Sequence, residues 1–295
     1  MFRVTGPELV IAACRAGVAA AFPVANARTP TELDSWLDRM AAAANDGAPR
    51  PAPHCANLVM DDPNRLDHLA CLVNNPVEIA ITVGSPAPVV ETLHSVGTLV
   101  FADVATIHHA RRALQAGADG LILLSAGAGG KTGWLSPFAF VRAVREFYDG
   151  PVVLSGGLSD GTALRAALEL GADLGYMGTK FIAAEESLAS VGYRKHLVDS
   201  NADGVLLTRA FTGLPANFLR SSVEAAGLDP DNLDEEVTPE IADAVYGAGR
   251  AGSGPKRWSD VVSAGHSVTG VKAVEPTAAI VAQIESEFHS VLAAH

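Results

Sequence analysis

The stretch Gly117 to Gly133, GADGLILLSAGAGGKTG, sets the reading of the whole chain. Leu121 to Leu124 is an apolar run with no polar partner on either face, which predicts a strand buried on both sides. It stops in Ser125-Ala126-Gly127-Ala128-Gly129-Gly130, a loop almost without side chains. Backbone N–H groups in such a loop can come close to a phosphate or a flat ring. Lys131 ends the loop as its one long charged side chain. Taken alone, the loop is equally open to a second reading, a glycine-rich turn without a ligand.

Working outward, the same unit returns. ALQAGADGLIL, from Ala113, and ALELGADLGYM, from Ala167, lie 54 residues apart and share the order helix, Gly-Ala-Asp, strand, loop. Helices are predicted at 7–17, 29–44, 61–74, 89–95, 105–116, 137–148 and 162–170, with Thr29 before Pro30 as an N-cap. A proline-rich loop is expected at 46–53. Strands begin near residues 18, 54, 78, 98, 119, 151 and 173. Buried strands alternating with helices mean a parallel sheet with helices outside, either a (β/α)8 TIM barrel or an open doubly wound sheet. No G-x-G-x-x-G follows an early strand, which favours the barrel. Seven strands are one short of a closed barrel. The expectation is an α/β barrel lacking its first strand, begun one strand late by a downstream start codon or a cut.

Composition narrows the partners. The chain has 295 residues, 48% of them hydrophobic, and a net charge of -12. That acidity, with no Lys/Arg cluster, argues against a nucleic-acid surface. No apolar run approaches about 18 residues, so no membrane span is expected, and no signal peptide is seen. Cys14, Cys55 and Cys71 follow neither a disulfide nor a zinc spacing, which points to a reducing, cytoplasmic location and no metal site.

Barrels of this kind place their chemistry at the C-terminal ends of the strands. Those ends are Asn57, Gly84-Ser85, Asp103, the Ser125 to Lys131 loop, Ser155-Gly156-Gly157 and Gly178-Thr179. Small-residue loops on adjacent units suit a phosphate-bearing cofactor. A tight turn at Gly156-Gly157 and a helix N-cap at Gly178-Thr179 are the plainer alternatives.

These segments together resemble the nitronate monooxygenase family of FMN-dependent (β/α)8 barrels, from Met1 to about Ile284. The resemblance is carried by Asn57-Leu58, Gly117-Ala118-Asp119, Ala128 to Gly133, Leu154 to Gly157 and Met177-Gly178-Thr179-Lys180-Phe181, with Trp258 to Gly265 as a C-terminal signature. The family's first strand ends in an Ala-Pro-Met segment against the flavin, and Met1 occupies that methionine's place. The resemblance implies FMN held by Met1, Asn57, Ser125, Gly129, Gly156, Gly157, Tyr176, Met177, Gly178 and Thr179. It also implies oxidation of alkyl nitronates by oxygen. An NAD(P)H-dependent reductase of quinones or enoyl thioesters, with NAD(P)H as co-substrate, is the alternative within the family.

The departure is Lys131, which stands where the family carries its catalytic histidine. Histidine titrates near neutrality, whereas a solvated lysine does not. Lys131 can instead attract an anionic nitronate or donate a proton to a reduced product. It can also point to solvent in a flavin-binding protein without turnover. Leu124 replaces a polar flavin contact. His54, flanking a strand end, and His266, where relatives commonly have glutamine, are candidate substrate contacts. His108 and His109 read as surface residues of a helix.

Residues 185–255 break the strand–helix rhythm. They are expected to form a helical insertion covering the mouth of an FMN-binding barrel made from residues 1–184 and 256–295. A closing helix is expected over 276–294.

Overall fold

A computed structural model describes residues 1–45, 51–247 and 254–293. Residues 46–50 of the expected proline loop, residues 248–253 of the insertion and residue 294 of the closing helix lie outside the described residues.

The Gly-Ala-Asp repeat shows how the sequence builds its sheet. Gly117 and Gly171 sit just past the ends of helices Ile107–Gln115 and Gly161–Leu170 at φ of +93° and +107°. Glycine takes this left-handed conformation at little cost and turns the chain toward the next strand. Two residues on, the aspartate pins the preceding strand. Asp119 N–H donates to the Val100 carbonyl, and Asp119 Oδ2 accepts from Val100 N–H at 2.7 Å. Asp173 does the same to Val152, with distances of 2.8 and 2.7 Å. One motif, used twice, sets the register of two neighbouring strand pairs.

The result is a seven-stranded parallel sheet in chain order: Ala20–Pro23, His54–Val59, Ile79–Val83, Leu99–Val104, Gly120–Leu124, Val152–Ser155 and Leu174–Tyr176. Its starts fall within two residues of those expected. Met1 to Val4 form a turn rather than a strand. Alternate residues face inward. Cys55, Ile81, Phe101, Ile122 and Val153 make an interior cluster with Ala21, Ile79 and Tyr176 packed on it. Residues of the opposite phase, such as Ala56, Ala80, Val100, Leu121 and Leu154, meet the surrounding helices.

The helix Thr277–Ala293 packs on Gly161–Leu170 and on Pro7–Arg15. Gly161 permits that approach, because a Cβ there would stand 2.2 Å from the Ile284 carbonyl oxygen. Residues 185–255 hold the helices Val191–Val198, Arg220–Ala225 and Pro239–Tyr246. They also hold two strands that the expectation of a helical segment did not include, Val205–Thr208 and Ala216–Leu219. These pair antiparallel, and Ala216–Leu219 pairs on its other side with Gly130–Lys131. A separate aromatic core supports them. Phe218 lies 4.9 Å from Phe211 and 5.1 Å from Trp258 between ring centres, and Phe211 lies 5.0 Å from Tyr246. Among the described residues, no helix is long and apolar enough to cross a membrane.

Candidate functional site

The inner phase of the sheet carries Asn57, Asp103, Leu124, Ser155 and Tyr176 to the C-terminal rim, each two residues beyond or within the interior cluster. Two loops extend that rim. Ser155 leads into Gly156 and Gly157, both at positive φ, and Tyr176 leads through Met177 to Gly178.

The glycine loop is clamped from three sides. Ser125 is fully buried, and both its N–H and its hydroxyl donate to the Ser155 carbonyl, at 2.9 and 2.7 Å. Asn217 Nδ2 donates to the Ala128 carbonyl at 2.7 Å. From the C-terminal segment, His266 N–H donates to the Gly127 carbonyl at 2.9 Å, and a Cβ on Gly129 would stand 2.7 Å from the Gly265 nitrogen. Gly265 is held in turn by its N–H donating to Thr179 Oγ1 at 2.9 Å.

The expected cofactor residues separate accordingly. Asn57 is half-buried at the rim, and its amide has no hydrogen-bond partner among the described residues. Gly129 and Gly157 are exposed, Gly178 half-buried, and a Cβ on Gly157 would meet nothing within 4 Å. Met1 packs over Gly178, its Cγ 3.7 Å from where a Cβ would be. Asn26 holds it there, donating to the Met1 and Thr5 carbonyls at 3.2 and 2.8 Å. Tyr176 reaches into the interior, where burial pushes its phenol pKa up, assisted by Asp103 and Cys55. Gly156 is buried, and a Cβ on it would stand 2.5 Å from Ser125 Oγ. Met177 packs into the core with Leu164 and Phe181.

Two expectations need correction, those for Ser125 and His54. Ser125, fully buried with its hydroxyl committed to Ser155, joins two rim loops and presents no surface to a guest. The Thr179 side chain is also buried, its hydroxyl accepting from Gly265 N–H, which leaves open the backbone N–H that the expectation concerns. His54 opens its strand, opposite Ala20, and so lies at the end of the barrel away from the rim. There its Nδ1 stands 3.8 Å from Glu78, and burial lowers its pKa. The strand start expected near residue 54 already implied this position.

Lys131 is exposed on the two-residue strand opposite Ala216, and His266 is exposed with its ring against Gly127. Sequence reasoning missed Asn217, whose only signal is a lone polar residue in the run Ala-Asn-Phe-Leu. It also gave no role to Asp103, an acid on the inner phase of an otherwise apolar strand.

The arrangement fits an FMN group. Exposed or half-exposed backbone at Gly157 and Gly178 offers close approach to a phosphate, and open space faces Gly157. The free Asn57 amide and an unpaired Asp103 oxygen await polar atoms above the interior.

The profile of the nitronate monooxygenase family matches residues 15–285 of the chain. The nitronate monooxygenase of Paraburkholderia phytofirmans is 30% identical over 230 residues, covering 73% of this chain and 62% of that protein. The chain thus spans about three-fifths of the length of the first curated relatives it matches. Among solved structures, FabK from Thermotoga maritima superposes with a TM-score of 0.79 at 25% identity, covering 100% of this chain and 92% of that one. Nitroalkane oxidase from Streptomyces ansochromogenes gives 0.76 at 25% identity, covering 99% and 94%.

Proposed function

The chain belongs to the nitronate monooxygenase family, and from that premise we propose that it is an FMN-dependent oxidoreductase that oxidises alkyl nitronates with oxygen. The observation that carries this reading is the rim itself: Gly157 and Gly178 on adjacent loops, with open space at Gly157 and the unpartnered Asn57 amide beside the same interior. When bound, FMN supplies the two-electron acceptor that no amino-acid side chain provides. The chain supplies the rest.

Backbone N–H groups at Gly156-Gly157 and Gly178-Thr179 would hold the phosphate, and Asn57 would orient the ring by its amide. Lys131 and His266 are exposed beside the glycine loop. A cation there draws in a nitronate, which is already anionic and needs no base. Removing a proton from a neutral nitroalkane is not assigned to Lys131. The described residues of the 185–255 insertion cover the mouth, and their strand Ala216–Leu219, paired with Gly130–Lys131, keeps the glycine loop in place over the barrel formed by the described residues of 1–184 and 256–295. Three buried free thiols suit a reducing cytoplasm. Burial pushes Cys14 and Cys71 up to about 11, and Cys55 to about 12, so none is poised as a nucleophile.

Anaerobic mixing of FMN-loaded protein with an alkyl nitronate or with NADPH tests this reading. Bleaching of the flavin by the nitronate supports it. Bleaching by NADPH alone reassigns the chain to reductases of quinones or enoyl thioesters, and silence in both leaves a flavin binder without turnover.

A further inference from the structure

The rim holds a carboxyl group that the reading above leaves without work. Asp103 is the penultimate residue of the strand Leu99–Val104 and shares its inner face with Phe101. Its neighbours in register are Val83 and Ile122, which offer it nothing polar. Its Oδ1 is sealed from solvent and makes no hydrogen bond among the described residues. Buried carboxyl oxygens are ordinarily paired, so such an exception calls for a neutral carboxyl, a missing partner, or both.

Few charged or titratable groups face it. Tyr176 comes from the last strand of the sheet, with the Cys55 thiol beyond it on His54–Val59. The α-amino group of Met1 approaches from the N-terminal turn, and burial lowers that amine's own pKa. Burial pushes Asp103 up to about 7, with the amine as the smaller, opposing influence. Its neutral and ionised forms are therefore close in free energy at physiological pH.

We propose that Asp103 is a flavin-ring contact of this mouth, donating its carboxyl O–H to an acceptor atom of the ring, so that cofactor binding takes up a proton. The proposal rests on the FMN reading. A flat ring laid over the interior removes the remaining water from the carboxyl, which disfavours the ionised form. The edge of a flavin ring carries carbonyl and nitrogen acceptors that a neutral carboxyl satisfies and a carboxylate repels. A carboxylate accepting from the ring's N–H would reverse the linkage and release a proton or take up none.

The test is FMN binding to cofactor-free protein, followed by quenching of FMN fluorescence in the wild type and Asp103→Asn. Calorimetry in two buffers of different protonation enthalpy counts the protons. In the wild type, affinity is flat below about pH 7. Above it, affinity falls by up to about tenfold for each pH unit until the raised pKa of the complex is passed. Asp103→Asn keeps a donor and cannot ionise, so its affinity at about pH 8.5 matches the wild type at about pH 6. The phosphate of FMN titrates in the same range, so riboflavin is run alongside and shows the step in the wild type only. Equal pH dependence in the two proteins, or proton release on binding, overturns the proposal. Thermal melting confirms that the variant folds, and Asp103→Ser, which also keeps a hydroxyl donor, replaces it if it does not. Failure of the wild type to bind either flavin at any pH sinks the FMN reading itself, a result distinct from binding without a proton.

Discussion

Asn217 Nδ2 donates to the Ala128 carbonyl at 2.7 Å, joining the insertion to the glycine loop across 89 positions of sequence. Both residues are buried, so Asn217→Ala leaves the Ala128 oxygen without a partner. An unsatisfied buried carbonyl costs about 1–3 kcal/mol. Urea unfolding of Asn217→Ala is expected to show a loss of that size, together with weaker FMN binding as the loop loosens. A loss of stability with unchanged FMN affinity would separate the loop from the site.

The two glycines after Ser155 are expected to respond differently to alanine. Gly156, at φ of +119°, would drive a Cβ to 2.5 Å from Ser125 Oγ and 3.0 Å from the Ser125 carbonyl oxygen. Gly157, at φ of +76°, has open space in the same direction. A left-handed residue other than glycine costs about 1–2 kcal/mol on backbone grounds alone. Gly157→Ala is expected to lose about that much by thermal melting, and Gly156→Ala clearly more. If the space at Gly157 receives the phosphate, Gly157→Ala also weakens FMN binding beyond what its stability loss explains.

The unequal parts of these two glycines show where sequence is a good guide and where it is not. Helix and strand positions were legible because burial repeats with a period, and Gly117-Ala118-Asp119 with Gly171-Ala172-Asp173 announced their own recurrence. The rim was legible as a set of strand ends. What sequence does not carry is which atoms at the rim are already spent. Ser125 looks like a ligand-binding hydroxyl, yet it is consumed by a backbone carbonyl 30 residues distant. His54 is a different case, since the strand start expected near residue 54 already puts it at the end away from the rim. The pairing of Gly130-Lys131 with Ala216-Asn217 had no local signal, because its cause is long-range packing around Phe218.

Lys131 and His54 make a paired prediction. Lys131 is exposed on its short strand, so Lys131→Met is expected to change stability by less than about 0.5 kcal/mol. In FMN-loaded protein it is expected to raise KM for an anionic nitronate several-fold, an effect that fades with added salt. His54→Gln, at the far end of the barrel, leaves kcat and KM unchanged. A Lys131→Met enzyme with unaltered, salt-independent KM would return Lys131 to the solvent-facing role.

Asp103 also makes the fold itself respond to pH, independently of any cofactor. An unfolded aspartate ionises near 3.9, whereas burial holds the folded carboxyl up to about 7. Between those values the unfolded chain has released a proton that the folded chain retains. Stability contributed by this group is therefore complete below about pH 4, declines as pH rises through the window, and levels off above about pH 7. Each unit corresponds to about 1.4 kcal/mol, so the total loss is at most about 4 kcal/mol and less once the site relaxes. Asp103→Asn removes the titration and keeps the shape. Any cost of burying the amide is independent of pH and cancels in the comparison. Urea unfolding of both proteins at about pH 4.5 and about pH 8 is expected to show the variant gaining about 2–4 kcal/mol on the wild type between the two. A constant difference would mean that Asp103 is ionised and solvated throughout, and would remove the physical basis for a neutral carboxyl at the rim.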